Sequence, residues 1–271
     1  MTGKRSAHER FPQVIAAAVR VFAREGYRAA HMSDVAREAG LSEAALYRYV
    51  GGKEDLFVLA IRHALLLEPL PGEDDPGGGF PVTVPSLDEM IRQARDFVAA
   101  EVPFGTLALA LRRGSRDLED PRAELAQVMR ELFILEEQTA QAADMIERSA
   151  RELPELADLL NTGLRRPVLD ALTEYLDNRA KTGKLRTTPD TAATARLVLE
   201  TLTWFARHRH SDPYGAAIPA GLAQETAVDA LLHALVPPRY LEAPCLEAPC
   251  LEAPYLDLES QNLPAEHLER P

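Results

Sequence analysis

The sequence predicts an all-α protein, and two observations lead to that prediction. Several segments carry apolar residues at the spacing of one helix face, as Ile15, Val19 and Phe22 do. Helix-start signals stand ahead of such segments, and a clear one is the capping box that Ser86 forms with Glu89. The chain has 271 residues and ample apolar content, so it is expected to form one or two domains with a buried core.

Two helices are predicted in residues 1–67, one near the start of this range and one near its end. The first contains the stripe just named and opens near Pro12, which suits a first helical turn because its missing amide would be unpaired there anyway. The other has an apolar face that runs from Leu56 to Leu67. Helices of this size bury only a small core, so the segment is expected to depend on the rest of the chain for stability.

Between them, two short helices joined by a tight turn are predicted over residues 33–52. Ser33–Ala39 has apolar residues at helical spacing, and Gly40 follows where a helix commonly ends in a left-handed residue. Ser42 is a good N-cap for the next helix, Glu43–Val50. Two such helices form a helix-turn-helix, whose second helix is shaped to enter the major groove of DNA.

The rest of the chain divides into a linker, a helical body and a tail. Residues 68–85 hold five prolines and four glycines, which indicates a linker or loop. Residues 86–236 form the body, with helices predicted over 87–101, 121–152, 162–182, 190–208 and 222–235. Asp120 and the proline after it mark the start of the second of these.

The tail, residues 237–271, repeats the five-residue unit LEAPC, LEAPC, LEAPY. A proline every five residues forbids a continuous helix, and seven acids against two arginines favour disorder. Cys245 and Cys250 could form a redox pair or half a metal site, but no histidine or second cysteine pair accompanies them. A locally expanded repeat without chemistry is the favoured interpretation.

The net charge of −12 is unevenly divided along the chain. Residues 1–63 hold ten Lys and Arg against seven Asp and Glu, whereas the remaining residues hold 20 against 35. Local charge near a duplex, rather than the whole-chain sum, governs contact with phosphates. The division is compatible with a DNA-binding segment joined to an acidic body.

Several protein classes are disfavoured by what the sequence lacks. It contains no run of apolar residues long enough to span a bilayer and no signal-peptide pattern, and its two cysteines do not indicate a secreted disulfide fold. A cytoplasmic protein is expected. G-x-S-x-G, H-E-x-x-H, P-loop and dinucleotide-binding patterns are also missing. We therefore expect no enzymatic activity, no catalytic or metal site, no cofactor and no membrane association.

The N-terminal quarter of the chain resembles the DNA-binding domain of the TetR family, the tetracycline-repressor-like regulators of bacteria. The resemblance begins with IAAAVRVFAREGY at Ile15, continues through DVAREAGLS and LYRYV, and ends with KEDLF. It implies a three-helix DNA-binding domain over residues 1–67, followed by a helical domain that binds a small molecule and forms a homodimer. A repressor that binds a palindromic operator in double-stranded DNA and is released by an effector is the expected function.

The start of the recognition helix must approach the base edges, so the predicted base-reading residues are Ser42, Glu43, Ala44 and Ala45. The resemblance implies that Tyr47, Tyr49 and Lys53 contact phosphates. Further phosphate contacts are expected from Arg48 and from the N-terminal arm, at Lys4 and Arg5.

The resemblance also implies an effector pocket and a dimer interface in the body. Aromatic and methionine side chains are the predicted pocket walls, although each also suits an ordinary core: Phe97, Phe104, Met129, Phe133, Tyr175 and Trp204. The last two strong helices are expected to dimerise as a four-helix bundle through apolar residues that could equally form the core of one chain: Val198, Leu202, Phe205, Val228, Leu231, Leu232 and Leu235.

One departure from the family pattern supports a second hypothesis. Glu43 places a carboxylate where base-friendly residues are common, and phosphates repel it unless it accepts a hydrogen bond from a cytosine amine. The alternative is a helical dimeric interaction protein whose DNA-binding head is degenerate.

Overall fold

The computed structural model describes residues 7–67, 79–115 and 118–241, and every secondary-structure element in these ranges is helical. The all-α prediction is confirmed. The predictions for Lys4, Arg5, Cys245 and Cys250 lie outside the described residues, as do those for most of the linker and of the tail.

Four helices form the N-terminal part, here called the head. They are α1 (Ala7–Ala29), α2 (Met32–Glu38), α3 (Glu43–Leu46) and α4 (Lys53–Ala64). The first begins before Pro12, which therefore lies within it, and it is interrupted at Gly26, where φ is 78°. The third is shorter than predicted, because Tyr49 and Val50 turn into the core instead of extending the helix.

The body continues with helices of very different length. They are α5 (Leu87–Glu101), α6 (Gly105–Arg113), α7 (Pro121–Gln138), α8 (Ala140–Ser149), α9 (Pro154–Asp158), α10 (Arg166–Lys181), α11 (Thr191–Ala206), α12 (Ala220–Leu235) and the single turn α13 (Pro238–Leu241). A π-helical segment, Leu159–Arg165, joins α9 to α10, and two 3₁₀ turns, His208–Ser211 and Gly215–Ala217, lie between α11 and α12.

Two body helices differ from the prediction. The predicted 121–152 helix breaks at Thr139, whose Oγ1 donates to the Leu135 carbonyl at 2.7 Å, a type of bond that often bends helices. The predicted 162–182 helix begins earlier, at Pro154, and passes through the π-helical segment. In contrast, the predicted N-caps at Ser86 and Asp120 are confirmed, since each side chain accepts the amide hydrogen three residues later.

The helices bury two separate groups of apolar side chains. The first core lies between α1, α4, α5, α8 and α9, and it includes Phe22, Leu59, Met90 and Met145. The second core lies between α6, α7, α10, α11 and α12. The head thus shares its core with helices of the body, which compensates for the small area that the four helices of the head can bury alone.

The end of α1 is joined to α8 by backbone as well as side-chain contacts. Gly26 approaches α8 so closely that a Cβ at this position would lie 3.3 Å from the Cβ of Arg148. The Tyr27 amide donates to Ser149 Oγ at 2.9 Å, and the next amide, of Arg28, donates to a carboxylate oxygen of Glu152 at 3.2 Å. Positive φ at Gly26 turns the chain so that these amides face α8.

A buried ion pair organises the second core. The guanidinium of Arg179, which is fully buried on α10, donates to Glu124 Oε1 of α7 at 2.9 Å and to the Ala110 carbonyl of α6 at 2.9 Å. The hydroxyl of Tyr175 donates to the same Glu124 oxygen at 3.1 Å. Burial, reinforced by the adjacent carboxylate, raises the pKa of Tyr175 well above its ordinary value. One carboxylate therefore holds three helices together.

Glu124→Ala is expected to lower the free energy of unfolding by about 3–5 kcal/mol, because it leaves the Arg179 guanidinium buried without its carboxylate. Urea denaturation of the full chain measures the change. Asp170→Asn is the matched control, since Asp170 pairs with Arg166 on an exposed face of α10 and its loss should change stability little. Equal losses in the two variants would contradict the role assigned to Glu124.

Gly26→Ala is expected to destabilise the protein more than Gly40→Ala does. Both glycines have positive φ, and Gly26 combines it with ψ 174°, a region that is essentially restricted to glycine, so either alanine would be strained by about 1–3 kcal/mol. Only the alanine at residue 26 would also press against a neighbour, Arg148, because nothing lies within 4 Å of a Cβ at residue 40. Thermal unfolding of both variants tests the difference, and an equal decrease in Tm would refute a close contact between α1 and α8.

Candidate nucleic-acid interface

A single exposed helical turn forms the centre of the candidate interface. Gly40, at φ 65°, ends α2, and the following Leu41 amide donates back to the Ala36 carbonyl at 2.8 Å. Ser42 then begins α3 as its N-cap, accepting the Ala45 amide hydrogen at 3.2 Å. This local hydrogen bonding sets where α2 ends and where α3 begins.

The four predicted base-reading residues lie together on this turn. Ser42, Glu43 and Ala44 are exposed, and Ala45 is half-buried. Leu46, the next residue, is fully buried and attaches the turn to the first core. The turn therefore presents two small apolar side chains, one hydroxyl and one carboxylate to its surroundings.

Two of the predicted phosphate-contacting residues adjoin the turn on the surface. Tyr47 remains 46% exposed although it is a large aromatic residue, and Arg48 is exposed beside it. An aromatic hydroxyl and a guanidinium are both suitable donors to phosphate oxygens. Their roles in binding DNA remain predictions.

Tyr49 is not available for the phosphate contact that the sequence suggested. Its side chain is only 4% exposed, and its ring packs against Phe11 and Phe80, with ring centroids 6.1 and 5.1 Å apart. The alternation in exposure between residues 47 and 49 arises because the chain turns inward after α3 to bury Tyr49 and Val50. Tyr49 anchors the turn from behind.

Lys53 is engaged at the junction between head and body. Its amine donates to the Arg28 carbonyl at 3.1 Å and lies 4.8 Å from the centroid of the Tyr27 ring. Burial lowers the pKa of this amine, and the nearby carboxylate of Glu152 opposes that effect. These contacts give Lys53 a structural role that the sequence did not indicate, and its phosphate contact stays a prediction.

The structure does not bring the six predicted pocket residues together. Met129, Phe133 and Tyr175 are buried in the second core, where the Tyr175 hydroxyl is already bound to Glu124. Phe104 is partly buried against the same core, whereas Phe97 and Trp204 project from the surface of α5 and α11. Four of the six side chains therefore lie in or against the second core, and the other two lie on the surface.

The predicted dimer residues also lie elsewhere than expected. Val198, Leu202, Val228, Leu231, Leu232 and Leu235 are buried within the second core of one chain, and Phe205 is partly buried against it. The reason is that α11 has two apolar faces, and the richer one packs inward. The other face leaves Leu197 60% exposed and Trp204 38% exposed.

Phe80 lies behind the candidate interface, against Tyr49, and the sequence analysis did not identify it. It lies in the segment 79–85, which we call the connector and which precedes α5. The connector returns to the head, where the Val82 amide donates to the Tyr49 carbonyl at 2.9 Å. The one available signal was that Phe80 is the only aromatic residue in the Pro/Gly-rich stretch 68–85.

Two kinds of feature are missing from the described residues. None of their helices is both long and apolar enough to cross a membrane. Within the same ranges, no group of three or more His, Cys, Asp or Glu side chains is arranged to hold a metal ion.

Comparisons with known proteins agree with the helix-turn-helix geometry. Residues 14–60 match the family described as bacterial regulatory proteins, tetR family. Over 65 residues the chain is 34% identical to the HTH-type transcriptional regulator HbdR of Aromatoleum sp. (strain CIB), a match that covers 24% of this chain and 28% of that protein.

Solved structures are similar over most of the described chain. One is a HlyIIR mutant protein carrying a linker with two thrombin sites, with a TM-score of 0.50, 14% identity, and coverage of 85% of this chain and 99% of the other. Another is AibR in complex with isovaleryl coenzyme A and operator DNA, with a TM-score of 0.47, 17% identity, and coverage of 85% and 100%. At such low identity the first similarity shows a shared fold and nothing more.

Proposed function

Because residues 14–60 belong to the tetR family of bacterial regulatory proteins, we propose that this protein is a transcriptional regulator that binds a palindromic operator as a homodimer and is released by a small molecule. The observation that carries the proposal is the exposed turn formed by residues 42–45, with Tyr47 and Arg48 beside it. Repression follows if the operator overlaps a promoter.

In this proposal, base reading and phosphate binding are divided between neighbouring residues. The start of α3 enters the major groove, where Ser42 can exchange hydrogen bonds with base edges and Ala44 can contact a thymine methyl group. Tyr47 and Arg48 bind phosphates on the flanking strand and set the register of the helix. Glu43 then favours sites that offer a cytosine amine and disfavours others.

The proposed dimer uses the outer face of α11 together with the start of α12. Leu197 and Trp204 are exposed on the first helix, and Leu222 is 55% exposed on the second. Burying these side chains against a symmetry-related copy removes apolar surface from water. Two recognition helices in one dimer can then read the two halves of a palindrome.

The effector part of the proposal rests on family membership. A small molecule changes DNA binding only if it binds one arrangement of the two heads more tightly than the other. The first core, shared by the head and by α5 and α8, is the route through which the body can move the head.

The second candidate function is that of a dimeric interaction protein whose head no longer binds DNA specifically. It is favoured by one observation, the exposed carboxylate of Glu43 on the turn that would face the bases. Such a head would bind any duplex weakly and with no preference among sequences, whereas a regulator binds its operator about 10³-fold or more tightly than other DNA.

Arg48→Ala and Tyr47→Ala are expected to weaken DNA binding without changing stability. The probe is a labelled duplex selected by the wild-type protein from a random library, and affinity is measured over a series of salt concentrations. Because each phosphate contact releases counterions, Arg48→Ala should reduce the slope of log affinity against log salt by about one.

One further variant is the control for this test. Arg166→Ala removes an exposed guanidinium from the body and should leave both affinity and slope unchanged. A wild-type slope in Arg48→Ala, or a wild-type affinity in Tyr47→Ala, would refute the proposed contact of that residue, and a library without enrichment would favour the second candidate function.

Leu197→Asp is expected to dissociate the dimer, because it buries a charge at the centre of the proposed interface. The dimer dissociation constant, measured by analytical ultracentrifugation, should rise about 30-fold or more, which corresponds to roughly 2 kcal/mol. Leu109→Asp is the matched control, since Leu109 is 55% exposed on α6, away from this face. A dimer that survives the first change, or that is lost with the second, would contradict the interface.

A further inference from the structure

We infer that Phe80 is a positioning residue for DNA recognition, acting through Tyr49 to hold the exposed turn of residues 42–45, here called the recognition turn, at its angle. The inference rests on the proposed function for its effect on DNA binding. It assigns part of the DNA-binding head to the connector, which lies between α4 and α5 and was predicted to be only a linker.

The recognition turn needs such support because it is very short. α3 comprises only Glu43–Leu46, and a single helical turn is not stable by itself in water. Its orientation therefore depends on the side chains that attach it to the head. Those side chains are Leu46, Tyr49 and Val50, all buried.

Of these three anchors, Tyr49 is the one that the connector covers. Phe80 meets the Tyr49 ring edge-on, with the centroids 5.1 Å apart and the ring planes at 74°. Phe80 also meets the Phe11 ring edge-on at 5.3 Å and lies 4.9 Å from the His8 ring. Edge-to-face pairs at this separation are a favourable aromatic arrangement.

The backbone reinforces the same contact. The Val82 amide donates to the Tyr49 carbonyl at 2.9 Å, so the connector binds both the side chain and the main chain of this residue. Val82 and Val84 are partly buried against the first core, which keeps the connector on the head. The connector thus links the start of α1 to the end of the recognition turn.

Exposure shows why this contact would affect recognition without touching DNA. Tyr47 and Arg48 are exposed, whereas Tyr49 is buried against Phe80, so the connector supports the turn from the side opposite its exposed residues. If the support is removed, the turn is free to tilt. Specific base contacts tolerate little displacement, whereas attraction to phosphates depends mainly on charge.

The test compares full-length Phe80→Ala with the wild type. Binding is measured to the duplex selected by the wild-type protein and to a scrambled duplex of the same length. We expect the dissociation constant for the selected duplex to rise about tenfold and that for the scrambled duplex to change less than about twofold. The salt slope should stay at its wild-type value, because no phosphate contact is lost.

Amide hydrogen exchange provides a readout that does not require DNA. In Phe80→Ala, amides of residues 43–50 should exchange faster, whereas those of α11 and α12 should keep their wild-type protection. Phe80→Tyr keeps the ring and should restore both affinity and protection. Phe80→Leu keeps apolar volume but has no ring, so it should lose less affinity and less protection than Phe80→Ala. It replaces the alanine variant in the test if that variant folds poorly.

Thr83→Ala is the matched control in the connector. It truncates an exposed side chain of the same segment, outside the aromatic group, so it should leave the affinity for the selected duplex unchanged. The inference is overturned if Phe80→Ala binds the selected duplex like the wild type while Arg48→Ala does not, or if exchange in residues 43–50 is unaltered. If the wild type selects no duplex, the proposed function fails, and the exchange result alone then decides whether Phe80 holds Tyr49.

Discussion

The packing of α1 against α8 is the contact on which the remaining arrangement depends. Gly26 permits it, since a side chain there would press against Arg148, and the amides of Tyr27 and Arg28 are satisfied by α8 and by Glu152 beyond its end. Backbone groups bonded across an interface cannot slide without losing those bonds. The head is therefore fixed to the body by direct contacts between α1 and α8.

The second core has a different basis. There, one carboxylate, Glu124, receives hydrogen bonds from Arg179 and Tyr175, and the same guanidinium also binds a carbonyl of α6. A buried pair of this kind contributes little net stability compared with apolar packing, but breaking it is costly because a charge is left without a partner. It consequently fixes which helices are neighbours more strongly than it stabilises the fold.

Local signals in the sequence were sufficient for much of the head. The N-cap at Ser42 and the left-handed residue at Gly40 act within a few residues, so their effects could be predicted without knowledge of the fold. The direction of Tyr49 could not, because it is determined by Phe80, which is distant in sequence and lies in a stretch with no periodicity. The same reason explains why α6 was not predicted, since the amide of Thr106 in its first turn is capped by the Glu131 carboxylate of another helix.

The dimer residues illustrate a further limit of pattern analysis. The helix α11 is apolar on two sides, and periodicity alone cannot tell which side faces the core of its own chain. The structure places Val198 and Leu202 inside and leaves Leu197 and Trp204 outside. The helix itself was correctly predicted, but the interface now proposed lies on another face of it, the one that carries Leu197 and Trp204.

The break at Thr139 has a mechanical consequence. It separates α7, which belongs to the second core, from α8, which belongs to the first. The end of α11 reaches across the same boundary, where Arg207 pairs with Glu147 of α8 at 2.5 Å. The second core and α8 are therefore connected at two places, the bend at Thr139 and the Arg207–Glu147 pair, and α8 in turn contacts the end of α1.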